Sequence, residues 1–102
     1  MVLLEFSMSP FGKGESLSPY VSRVLNVIDQ SGVRYKLTPM GTILEGEWEE
    51  VMQVVTNCFK ELENDCNRIS TNIRIDYRKG SNSRMLQKIN SIQSKLNKEL
   101  SK

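Results

Sequence analysis

The chain has 102 residues, 38% of them hydrophobic and 25% charged, with a net charge of +2 and no histidine. That is enough for one globular domain with a single core, and it argues against disorder. No apolar run nears the roughly 18 residues of a membrane span, and without histidine the commonest metal ligand and neutral-pH general base are missing.

The first residues, Met1-Val-Leu-Leu-Glu-Phe-Ser-Met8, have neither a basic n-region nor a small-residue cleavage site. A cytoplasmic location is the default expectation, for a single domain over 1–102. Val2, Leu4, Phe6 and Met8 alternate with Leu3, Glu5, Ser7 and Ser9, so a half-buried strand is predicted, ended by Pro10. The loop through Gly12-Lys13-Gly14 matches no phosphate-binding fingerprint.

Ser18-Pro19 opens a helix, and Val21, Val24, Leu25 and Ile28 form its apolar stripe, with Gly32 suited to the C-terminal cap. Two short strands follow, Val33 to Leu37 and Thr42 to Glu45, joined at a Pro39-Met40-Gly41 corner too short for a crossover. They pair as a hairpin. The corner is expected to bring Thr38, Thr42 and Glu45 close together and to leave backbone groups free for a small polar ligand.

A longer helix is predicted from about Glu47 to Asn64. Trp48, Val51, Met52, Val55, Cys58, Phe59 and Leu62 share its core stripe, and Glu47, Glu49 and Glu50 crowd the first turn as capping charges. Cys58 and Cys66 are about 12 Å apart along that helix, too far for a disulfide, so two buried thiols are expected. The last strand sets Ile69, Thr71, Ile73, Ile75 and Tyr77 on a core face against Ser70, Asn72, Arg74, Asp76 and Arg78. After a turn at Lys79–Ser83, a stripe of Met85, Leu86, Ile89, Ile92, Leu96 and Leu100 predicts a C-terminal helix over about 84–100. Residues 84–102 carry +4 and residues 1–83 carry −2, which reads as a solvated basic face on that helix.

The order β-α-β-β-α-β plus a helix predicts an α+β, ferredoxin-like sandwich with a four-stranded antiparallel sheet. The first and third strands take the middle and the helices cover one face. The other face shows Leu3, Glu5, Ser7 and Ser9 beside Asn72, Arg74, Asp76 and Arg78, and invites self-association or ligand binding.

Four segments carry a more specific signal: Leu4-Glu-Phe-Ser-Met-Ser-Pro10, Ser16-Leu-Ser-Pro-Tyr-Val21, Pro39-Met-Gly-Thr-Ile-Leu-Glu-Gly46 and Ile73-Arg-Ile-Asp-Tyr-Arg78. In that order the chain resembles the short single-domain branch of the YkoF-like thiamine-binding protein family. The resemblance implies binding of thiamine or its hydroxymethylpyrimidine portion without catalysis, and assembly into a homodimer or homotetramer. It implies ligand contacts at Ser7, Ser9, Met40, Thr42, Glu45 and Asp76. Tyr77 stands where many relatives are acidic. No cofactor, metal, nucleic-acid partner or membrane is implied.

The chemistry of these residues is compatible with that ligand. A carboxyl group such as Glu45 can pair with the aminopyrimidine edge, and the serine and threonine hydroxyls can donate or accept. The alternatives are a structural or regulatory oligomer with no ligand, or an enzyme using Glu45 and Asp76. For the enzyme, no spacing singles out a nucleophile and its base. RNA-recognition domains share the topology but stack bases on exposed sheet aromatics, and the exposed rows predicted here contain none.

Overall fold

The computed structural model describes residues 1–12 and 18–79. The elements are β1 (Val2–Pro10), α1 (Ser18–Gln30), β2 (Arg34–Thr38), β3 (Gly41–Gly46), α2 (Trp48–Glu63) and β4 (Ile69–Tyr77). The predicted helix over about 84–100 and the loop beyond Gly12 lie outside the described residues. Pro10 is the last residue of β1 rather than the residue after it. It costs the sheet little there, because proline is tolerated at strand ends.

All strand pairings are antiparallel and the order is β2-β3-β1-β4, the ferredoxin-like arrangement with β1 and β3 in the middle. The register Leu4↔Leu44 and Leu4↔Ile75 places the even residues of β1 on the helix side. Leu4, Ile28, Leu44 and Leu62 are fully buried there, each worth about 1.5–3 kcal/mol. Gly32, at φ 77°, reverses the chain between α1 and β2 without the penalty an L side chain would meet. Arg23 ties α1 to α2, at 2.6 Å from Asp65 and 3.5 Å from Glu61.

The acids before and within the first turn of α2 act as caps. The Glu50 carboxylate accepts from the Glu47 amide at 2.9 Å, and Glu47 returns the bond to the third residue of the helix in a capping box. Cys58 and Cys66 are both buried and free. Cys66 lies past the end of α2, beyond the Asn64 cap.

Six residues predicted for the core are exposed instead: Val21, Trp48, Phe59, Thr71, Ile73 and Tyr77. Trp48 and Phe59 are 49% and 42% exposed, and Tyr77 is 64% exposed. The core arc of α2 is instead Val51, Val54, Val55, Cys58 and Leu62, which includes Val54, a residue outside the predicted stripe. The reason is placement. α2 packs on α1, β1 and β3, so its buried arc turns toward them and away from the edge strand β4. Leu3, predicted on the polar face, is buried there outside the core cluster.

Candidate functional site

The sheet is uneven at one end. β1 pairs with β4 from Val2 to Pro10, but with β3 only from Val2 to Phe6. Ser7–Pro10 therefore project past β3, with no strand beside them on that side among the described residues. Against this protruding end stands the β2–β3 turn, and the N-terminal half of α1 closes over the gap. The result is a cleft of about 410 Å³, within the usual range for small-molecule sites.

Its polar groups come from Ser7, Ser9, Thr38 and Thr42, and its apolar wall from Val21, Val24 and Leu25 of α1. Met40, 83% exposed at the tip of the turn, overhangs it. No ionisable side chain lines the cleft among the described residues.

The turn is built differently from the expectation of free backbone groups. The Thr38 hydroxyl accepts from the Met40 and Gly41 amides at 3.2 and 3.1 Å, and donates to the Gly41 carbonyl at 2.8 Å. A threonine that can both donate and accept closes the turn on itself. Gly41 is required for a steric reason, since a Cβ there would stand 2.8 Å from the Phe6 carbonyl oxygen of β1.

Four of the six nominated residues, Ser7, Ser9, Met40 and Thr42, thus converge on one cleft. Glu45 and Asp76 stand elsewhere. Thr42 pairs with Phe6 and faces the helices, whereas Glu45 pairs with Leu3 and faces the opposite side. The expected closeness of Thr42 and Glu45 fails because their spacing of three residues puts them on opposite faces of a strand. Asp76 also pairs with Leu3, so the two carboxylates flank Leu3 about 10 Å apart. The four steps from Leu3 to Ser7 add roughly 13 Å. One small ring cannot reach both groups in the same chain.

Glu45 is buried, and Arg34 approaches its Oε1 at 3.4 Å beside a hollow of about 330 Å³. On the same open face a groove of about 520 Å³ runs between Glu5, Ser7, Asn72 and Arg74, again under Met40. Ser7 and Met40 border both the cleft and this groove. Glu5, Asn72 and Arg74 were not nominated from the sequence. Their alternation with Ser7 and Asp76 was visible, but the register Glu5↔Arg74 and Ser7↔Asn72 that joins them was not. Val21 looked like core for a similar reason, since spacing cannot tell a cleft wall from an interior. The aromatic side chains of Tyr20 and Trp48 do not line either hollow.

Comparison with known proteins places this geometry. A UPF0045 protein of Methanocaldococcus jannaschii is 31% identical over 91 residues, covering 89% of this chain and 91% of its own. The crystal structure of a hypothetical protein from that organism superposes with a TM-score of 0.81, at 31% identity over 89% of this chain and 94% of that one. A Thermotoga maritima structure, provisionally assigned to thiamine biosynthesis or salvage, gives a TM-score of 0.79 at 26% identity, covering 89% of this chain and 97% of that one. A Mycobacterium bovis UPF0045 protein is 33% identical over 93 residues, 90% of this chain and 91% of its own. Residues 4–93 match the family model described as thiamine-binding protein, and the chain belongs to that family.

Proposed function

We propose that the protein binds thiamine or its hydroxymethylpyrimidine portion in the cleft beside the β2–β3 turn, and that it acts as a carrier, buffer or sensor rather than a catalyst. The observation that carries this reading is the convergence of Ser7, Ser9, Met40 and Thr42 on one uncharged hollow of about 410 Å³. An aminopyrimidine is flat and neutral. It fits an apolar wall that can take its face and hydroxyls that can take its edge. Acid–base catalysis needs a titratable group within hydrogen-bond reach of the reacting atoms, and the described lining supplies none.

Thr42 orients the ring in this reading, Ser7 borders the rim that the cleft shares with the open face, and Met40 folds over the ring. Glu45 and Asp76 form a second polar patch, which a partner chain would have to bring to the same ligand. Self-association into a homodimer or homotetramer is therefore part of the proposal, as is a cytoplasmic location, with which the two free thiols agree.

The open-face groove offers a second reading, because the Glu5 carboxylate could pair with the aminopyrimidine edge beside the same Ser7. Calorimetric titration with thiamine, hydroxymethylpyrimidine and thiamine phosphates separates the two. Thr42→Val is expected to weaken binding at least tenfold, about 1.4 kcal/mol, while Glu5→Gln leaves it within a factor of two or so. The reverse pattern moves the ligand to the open face. No heat with any of these compounds removes the small-molecule reading altogether.

A further inference from the structure

Successive residues of β1 turn their backbone groups to opposite neighbours, and the ends of its ladder with β4 show which residues face which strand. The Arg78 amide donates to the Met1 carbonyl at 3.3 Å, and the Phe11 amide donates to the Arg68 carbonyl at 2.8 Å. Both pairs continue the unbroken register from Val2↔Tyr77 to Pro10↔Ile69. A strand residue sends its N–H and C=O to the same side, so the odd residues of β1 bond to β4 and the even ones turn toward β3. The Phe6 carbonyl agrees, since it points at the β2–β3 turn, where a Cβ on Gly41 would meet it at 2.8 Å. β3 stops pairing at Phe6. The next even residue, Met8, lines the 410 Å³ cleft, and its N–H and C=O have no strand opposite them among the described residues. Pro10 follows with no N–H to offer. Met8 thus carries the complete donor–acceptor pair of this edge.

We propose that the Met8 main chain reads the ligand: its N–H donates to a pyrimidine nitrogen, and its C=O accepts from the amino group beside that nitrogen. This contact presupposes that the cleft holds the pyrimidine, and it adds the edge by which that ring is selected. The ring takes the place that a residue of β3 would have held. Its plane continues the sheet, and one face lies against Val21, Val24 and Leu25. Thr42, paired with Phe6, stands two residues along the strand, about 7 Å away, and is left for the ring's other polar atoms. Selectivity follows from the fixed polarity of the main chain. A hydroxyl rotates to suit either pattern, whereas an amide N–H only donates and a carbonyl only accepts. The ligand class is therefore a flat heterocycle with an amino group next to an unprotonated ring nitrogen. The thiazolium of thiamine contributes nothing to that edge.

Amide hydrogen exchange, followed by NMR on the isotope-labelled full-length protein, tests the contact. Without ligand, the Met8 amide is expected to exchange about tenfold or more faster than the amides of Leu4 and Phe6, which β3 covers. Hydroxymethylpyrimidine should slow that exchange and move the Met8 amide proton downfield, as a new hydrogen bond does. Met8→Pro deletes the N–H on the side where the ladder does not use it. It should lower hydroxymethylpyrimidine affinity about tenfold or more while the other strand amides keep their positions. Where that variant fails to fold, exchange in the wild-type protein decides. A Met8 amide already protected in the free protein overturns the proposal, and so does undiminished affinity in Met8→Pro. Binding that shifts the Gly41 and Thr42 amides but leaves Met8 exchanging as before also overturns it, and keeps the cleft reading. No response from any amide of the cleft removes both.

Discussion

Met40 packs into no core cluster, yet it overhangs two hollows. Removing a large side chain that buries nothing changes stability by less than about 0.5 kcal/mol. Met40→Ala is therefore expected to leave the urea midpoint in place while lowering ligand affinity, a split that a structural residue would not produce. Its neighbour Gly41 differs, since its missing Cβ is what lets the turn approach the Phe6 carbonyl. Cys58 shows how burial governs reactivity. Desolvation, helped by the Glu61 charge, pushes its thiol up to about 11 from the ordinary 9.0. The folded state keeps its proton in a range where the unfolded state loses it, so stability is full below about pH 9 and declines toward pH 11. Denaturation as a function of pH should show that decline, removed in Cys58→Ala. In the native protein at pH 8, Cys58 should react with a thiol reagent far more slowly than in denaturant.

At the scale of elements, α2 rests on its start. Glu50→Ala deletes the acceptor of the Glu47 amide and is expected to cost about 1 kcal/mol, read as a lowered urea midpoint with unchanged slope. This was among the more legible features, because a cluster of acids before an apolar stripe has one local explanation. The strands and helices were legible for the same reason: Val2–Pro10 and Ile69–Tyr77 alternate, and α1 and α2 repeat with helical period. What periodicity does not carry is the identity of the neighbour. Trp48 and Phe59 fit the apolar stripe of α2, but the stripe is wider than the arc that α1, β1 and β3 can cover. Thr42 and Glu45 fit one motif in sequence, and β-strand parity sends them to opposite faces. The cleft itself depends on β3 ending its pairing at Phe6, which is a register fact and has no local signature.

For the whole molecule, the open face carries Glu5, Arg74, Asp76 and the buried pair of Leu3 and Glu45. If a second copy completes the proposed site, light scattering should give an integral multiple of the 11.7 kDa chain mass at micromolar concentration. A monomer would confine the site to one chain and separate Glu45 and Asp76 from the ligand.

The protruding end of β1 has one more consequence. Ser7–Pro10 belong to the first of the described elements in chain order, but their only strand partner among the described residues is Asn72–Ile69. During synthesis the hairpin and both helices can emerge while that wall of the cleft has nothing to hold it. Such closure across most of the chain is slow compared with local structure, and it waits for β4 to leave the ribosome. The proposed cleft thus lacks one of its walls until nearly all of the sheet has been translated.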